Sequence, residues 1–161
     1  MLKIFNTLKP FFEDVFREIS VREYAREQNI SPPNASKILK DLENEGLLIS
    51  KTLGRYIFFR VNRESPTFKE FAKLYWQTLL KSLTQEIYEE MGFRKIVLFG
   101  SIAKIENTKN SDVDLFIDAD EAKLDIFGLE AKLNRPVQLH FKKELKNKLL
   151  KENIKNGILI K

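Results

Sequence analysis

The sequence predicts an α+β fold in two modules joined by one long helix, and three observations predict it. Residues 1–63 read as helices followed by two strand-like runs. Residues 64–92 carry a continuous helical stripe. From Lys95 onward, short apolar strands alternate with helical segments, the pattern of a small mixed sheet with helices packed on it. A chain of 161 residues that is 43% hydrophobic can bury cores of this kind, and its 32% of charged residues keeps the outside wet.

In the first module, Phe11, Phe12, Val15, Phe16 and Ile19 recur at helical spacing. Ser20 is placed to cap a second helix over Val21 to Glu27. Asn29-Ile30 makes a turn, Ser31 caps a third helix, and Pro32 and Pro33 fall where a missing N–H costs nothing. Ala35, Ile38, Leu39 and Leu42 form its apolar face, and Gly46 ends it. Leu47 to Ser50 and Tyr56 to Val61 then read as a hairpin, with Gly54 at the positive-φ position of the turn.

Ser65-Pro66 reads as the start of the connecting helix, which the pattern carries to Met91 before Gly92. Its stripe is Phe68, Phe71, Leu74, Tyr75, Leu79, Leu83, Ile87 and Met91, with Trp76 beside it. Beyond it the elements are strands at Ile96 to Phe99, Asp112 to Ile117 and Val137 to Phe141, helices at Leu124 to Leu133 and Lys143 to Lys155, and an edge strand at Ile158 to Ile160. The domains expected are therefore 1–63, a linker helix 64–92, and 93–161.

Composition narrows the function classes. There is no cysteine, which excludes disulfides and thiolate metal sites and fits a cytoplasmic protein. No run of 18 apolar residues is present and Met1 to Lys9 does not read as a signal peptide, so no membrane association is expected. A net charge of +5 favours an anionic partner.

The order helix, helix, turn, helix, hairpin, with VREYAREQNISPPNASKILKDLENEG over Val21 to Gly46, resembles winged helix-turn-helix regulators of bacteria and archaea. The resemblance implies binding of double-stranded DNA, the third helix entering the major groove. Asn34, Ser36, Lys37 and Lys40 then face outward: Asn34 can reach a base edge, and the lysines sit near phosphates. Lys51 and Arg55 at the hairpin tip would touch the backbone or the minor groove. The competing reading is a packing module that mediates dimerisation. A homodimer suits either reading, since paired modules read paired half-sites.

The second module carries its chemistry in LFGSIAKIENTKNSDVDLFI. Gly100-Ser101 follows an apolar strand, and Asp112-Val113-Asp114 opens the next. Carboxylates at i and i+2 on a strand share a face and can hold Mg²⁺ together. Gly100 lets a phosphate approach the backbone, and Ser101 offers a hydroxyl and an N–H at a helix start. This string resembles the minimal nucleotidyltransferase family, related to the polymerase-beta type. The resemblance covers roughly Lys95 to Lys161. It implies that Asp112 and Asp114 are catalytic metal ligands for Mg²⁺ and that Gly100 and Ser101 hold the triphosphate of an NTP substrate.

The match also has departures. The family's Arg after Gly-Ser and its later Gly are here Ile102 and Ile105, and its third carboxylate is Gln138. An amide carries no charge and cannot act as a base, so metal binding and catalysis should both suffer. His140, on the same strand face, can partly stand in as a base or phosphate contact; its plainer reading is a surface histidine. Asp118 and Asp120 read as loop caps, and the lysines from Lys142 to Lys155 as a solvated face.

The expectation is a DNA-binding, transcription-regulator-like protein whose second module binds NTP and Mg²⁺ and transfers a nucleoside monophosphate. Two alternatives stand beside it: an active nucleotidyltransferase modifying a partner protein, as the antidote half of a toxin–antitoxin pair, or an inactive nucleotide-sensing or dimeric scaffold.

Overall fold

The computed structural model describes residues 3–85, 89, 95–120 and 126–161. The expected end of the connecting helix (Ile87, Met91 and Gly92) and the expected start of the following helix at Leu124 lie outside the described residues. The chain divides into two compact units, Met1–Ala72 and Lys73–Lys161.

The first unit runs α1 (Lys3–Glu13), β1 (Ile19–Ser20), α2 (Val21–Gln28), α3 (Pro32–Asn44), β2 (Leu48–Leu53) and β3 (Tyr56–Val61). Its strands lie in the order β1-β3-β2, all antiparallel, and the hairpin pairs Leu48 with Val61 through to Leu53 with Tyr56. Phe5, Leu8, Phe11, Phe12, Tyr24, Leu39 and Phe59 fill the core. Phe68, on the helix that follows, packs its ring at a tilt against Phe12, centroids 5.3 Å apart.

The helical spacing from Phe11 to Ile19 does not continue as helix. α1 stops at Glu13 because the Asp14 carboxylate takes the Phe16 N–H at 3.1 Å, a local bond that competes with the helix. Phe16 is left half-exposed under the Arg63 guanidinium at 4.5 Å, and Ile19 enters β1. Ser20 caps α2 in a reciprocal pair with Glu23, and Asn29 ends it in the left-handed conformation. Ser31 holds the N-cap position of α3 but its side chain makes no cap bond. Pro32 and Pro33 leave fewer N–H groups there to satisfy.

α4 (Pro66–Leu83) carries the division between the units. Its buried residues are Phe68, Ala72, Tyr75, Trp76 and Leu80, while Leu74 is half-exposed. The expected stripe is thus rotated toward Trp76, since burying the indole and Tyr75 removes more apolar surface than burying Leu74 and Leu79.

The second unit continues with β4 (Ile96–Phe99), α5 (Gly100–Lys104), β5 (Val113–Ile117), α6 (Phe127–Leu133), β6 (Val137–Phe141), a 3-10 turn (Lys142–Lys146), α7 (Lys148–Lys155) and β7 (Ile158–Leu159). The strand order is β6-β5-β4-β7. β4 is antiparallel to β5 and β7, and β5 is parallel to β6, so the sheet is mixed. The fold class is α+β. Val97, Phe99 and Phe116 cluster with Ile154 on one face, with Leu145 and Leu150 packed against them. The single helix expected over Lys143 to Lys155 is broken at Asn147, whose carboxamide oxygen caps Leu149 and Leu150 N–H at 3.0 and 3.2 Å.

Candidate functional site

β4 ends at Phe99, and the chain turns at Gly100 into α5 with φ +75, a conformation that disfavours any Cβ. Register sets Phe99 opposite Asp114. A Cβ on Gly100 would lie 2.0 Å from Asp114 Oδ2, so the glycine corner and the carboxylate meet. Asp112 and Asp114 are spaced i and i+2, which turns both side chains to one face of the sheet. On the parallel neighbour, Gln138 pairs with Asp114, and its Nε2 donates to Asp112 Oδ2 at 2.5 Å. Ser101 follows Gly100 in α5 and is half-buried. Gly100, Asp112, Asp114 and Gln138 therefore converge, with Ser101 adjoining.

Electrostatics at this point are unfavourable to Asp114. Burial pushes its carboxyl above the usual range; the His140 ring opposes that, and the Asp112 charge reinforces it. His140 Nδ1 lies 2.8 Å from Glu144 Oε2, and its ring meets the Phe99 ring edge-on at 5.1 Å. Burial alone would raise the Glu144 carboxyl, but the Phe141 N–H and the His140 ring bring it below its ordinary value.

The loop that delivers Asp112 is held from below. Arg135, 6% exposed, donates through Nη1 to the carbonyls of Thr108 at 2.8 Å and Ser111 at 2.9 Å. Its guanidinium lies 5.5 Å over the Trp76 ring. Nothing local in the sequence marks Arg135 for this contact. A buried arginine in a loop-facing position is recognisable only once the strands are paired.

Among the described residues, no group of three His, Cys, Asp or Glu side chains is placed to hold a metal ion. Gln138 accounts for the shortfall, because the third position beside the two aspartates is an amide. The remaining donors still suit Mg²⁺, which needs only one or two carboxylates when phosphate oxygens and water complete its shell. The place a Gly100 Cβ would take is filled by the Asp114 carboxylate, so the glycine lets the carboxylate lie directly against the start of α5.

In the first unit, Asn34, Lys37 and Lys40 are exposed on α3, opposite the buried Ala35, Leu39 and Leu42, and Ser36 is half-buried. Lys51 and Arg55 are exposed in the hairpin, Lys51 reaching Glu18 at 3.5 Å. Two cations were missed from sequence. Arg22 and Arg26 lie exposed one turn apart on α2, and a groove of about 480 Å³ brings Arg22 and Pro32 to Arg55 and Tyr56. Their i, i+4 spacing was visible in the sequence, but their proximity to the hairpin was not.

The sequence pattern of the nucleotidyltransferase domain matches residues 78–160, just over half of the chain. The chain belongs to the nucleotidyltransferase domain family. No curated protein sequence matches it. One solved structure, described as TrmBL2, an archaeal chromatin protein showing a novel mode of DNA binding, aligns with a TM-score of 0.29 and 15% identity. That alignment covers 83% of this chain and 60% of the other.

The nucleotidyltransferase domain here has an unusual corner. Ile105 takes the left-handed conformation, φ 59 and ψ 47, at the position where the minimal family's pattern has glycine. A β-branched residue is strained there, yet Ile105 is 8% exposed and its burial compensates. Ile102, in place of the pattern's arginine, is 1% exposed and packs inward, so it offers a phosphate nothing. Both positions are therefore part of the core here. Among the described residues no helix is long and apolar enough to cross a membrane.

Proposed function

We propose that the second unit binds a nucleoside triphosphate with Mg²⁺ at Gly100, Ser101, Asp112 and Asp114, and transfers a nucleoside monophosphate. The observation that carries this reading is the convergence of the Gly100 corner on the aspartates: a Cβ added there would lie 2.0 Å from Asp114 Oδ2, and Gln138, the register partner of Asp114, bonds Asp112. Asp112 and Asp114 would hold Mg²⁺, which when bound neutralises phosphate charge and favours departure of pyrophosphate. Gly100 admits the phosphate chain, and the Ser101 hydroxyl and N–H bind its oxygens. Gln138 supplies a donor that fixes Asp112 in place but adds no negative charge, so Mg²⁺ affinity is set by two carboxylates rather than three.

Titration of the full chain with Mg²⁺ and the α,β-methylene analogues of the four ribonucleotides tests the binding step. Calorimetric binding that Asp112→Ala and Gly100→Ala abolish supports it. Absence of binding by the unaltered chain rejects it. Transfer is tested with α-labelled NTP and candidate acceptors, a partner protein first among them.

For the first unit we propose a winged helix-turn-helix that binds double-stranded DNA. The exposed Asn34, Lys37 and Lys40 on a helix whose opposite face is buried favour this reading, as does the cationic groove of Arg22 and Arg55 beside the hairpin. Lysines and arginines there would bind phosphates and set register, and Asn34 would read a base edge.

A further inference from the structure

Gln138 leaves the proposed transfer without a third carboxylate to take the acceptor's proton. His140, the chain's one histidine, lies two residues further along β6. It shares the face of Gln138 and Asp114. The ring is held on two sides. Phe99 meets it edge-on at 5.1 Å, and Glu144 Oε2 lies 2.8 Å from Nδ1. Glu144 is itself fixed, since its other oxygen takes the Phe141 N–H at 2.9 Å.

An ionised carboxylate only accepts hydrogen bonds. A neutral imidazole bound to Glu144 through Nδ1 must therefore carry its proton on Nδ1, and its lone pair lies on Nε2. A base whose tautomer is set by a neighbouring carboxylate is the arrangement used by activated nucleophile systems on unrelated folds.

We propose that His140, oriented by Glu144, is the proton acceptor of this site. The inference rests on the nucleotide reading above. As a hydroxyl of the acceptor attacks the α-phosphorus of the bound triphosphate, its oxygen–phosphorus bond forms. The bond from the α-phosphorus to the bridging oxygen breaks, and pyrophosphate leaves with that electron pair. The hydroxyl proton passes to Nε2, giving an imidazolium whose charge Glu144 balances. Glu144 acts through His140 and is a positioning residue.

A single histidine makes the test direct, because long-range ¹H–¹⁵N NMR of the full chain shows only one imidazole. At mildly alkaline pH the unaltered chain should give one tautomer, protonated at Nδ1. Adding Mg²⁺ with the α,β-methylene ribonucleotides should move the Nε2 signal together with the amide signals of Gly100 and Ser101. Glu144→Gln should shift the ring toward the other tautomer while leaving nucleotide affinity unchanged. Amide shifts at Gly100 and Ser101 with an unmoved Nε2 would overturn the proposal and leave nucleotide binding standing. Silent amides would overturn both. A ring protonated at Nε2 in the unaltered chain would also overturn it. Once transfer is measured, His140→Ala should lose it and free imidazole should restore part of it, a rescue that a structural contact would not show.

Discussion

Gly100 and Asp114 compete for one volume: the place a Cβ would take on the first lies 2.0 Å from the carboxylate oxygen of the second. The strand register that pairs Phe99 with Asp114 creates this crowding, and the left-handed turn at Gly100 aims its α-carbon into it. Two costs, a strained φ for any other residue and a clash with a charge, therefore fall on the same position.

Gly100→Ala should destabilise the second unit by roughly 1–2 kcal/mol from backbone strain alone, before the clash is counted. The clash component is separable. In an Asp114→Gly background, the added cost of Gly100→Ala should shrink toward the strain value, as denaturant melts of the four chains would reveal. Equal costs in both backgrounds would show that the carboxylate lies elsewhere.

Asp114→Asn should raise stability at neutral pH while removing Mg²⁺ and nucleotide affinity. The sign follows from the raised carboxyl pKa, caused first by burial. Below 3.8, its ordinary value, both folded and unfolded states hold the proton and the group contributes nothing. Above it the unfolded chain ionises first, so stability falls until the folded group ionises too, and it stays lost at higher pH. Measured against the Asn variant, the melting temperature of the unaltered chain should therefore decline across that acid window; Glu144, whose carboxyl is lowered, acts with the opposite sign in both chains and cancels from the comparison. Mg²⁺ with nucleotide should stabilise only the Asp form.

Arg135→Met strips two loop carbonyls of their donor. The Thr108 carbonyl keeps the Ser111 N–H at 3.1 Å, so only the Ser111 carbonyl is stranded, at a cost of roughly 1–3 kcal/mol, with the stacking on Trp76 partly replaced by the thioether. Asp112 should then be less well placed. The expected outcome is a melting temperature lower by several degrees and Mg²⁺–nucleotide affinity reduced more than thermal loss explains, measured well below the transition. Arg135→Lys should recover charge but not both bonds, and so only part of the affinity.

Ile105→Gly sets two effects against each other. Relief of the left-handed strain returns roughly 1–2 kcal/mol. Removing a buried isoleucine side chain costs roughly 2–5 kcal/mol. Burial wins, and the variant should be less stable by about 2 kcal/mol in urea titration. A stabilised variant would mean that the strain exceeds the packing.

For the first unit, anisotropy titration of a duplex at several salt concentrations should give a log-linear loss of affinity, and Lys37→Ala should lower its slope by about one. Arg22→Ala and Arg55→Ala should act alike if both reach phosphates. An unchanged slope in all three would move the DNA contact away from α3 and the hairpin.

Local signals carried much of the architecture. Ser20 with Glu23, Asn29, Gly46 and Gly54 all act over a few residues, and each stands where its own chemistry places it. The failures are equally local in origin. Asp14 ended α1 by a side-chain bond that hydrophobic spacing cannot register, and Asn147 split the final helix by capping its second half. The α4 stripe was misread because period alone cannot weigh Trp76 against Leu74.

From the sequence alone came the α+β order, the glycine-serine corner and the aspartate pair, because a side chain's own chemistry and a strand's period of two need no knowledge of distant neighbours. Tertiary structure decided what those residues meet: Asp112 bonded to Gln138, Asp114 pressed on Gly100, His140 anchored by Glu144, and the Asp112 loop tied to buried Arg135. Strand pairing and burial create those relationships. The bonds of Asp112 to Gln138 and of Arg135 to the Ser111 carbonyl join positions 26 and 24 residues apart, and together these contacts set the charge balance of the site.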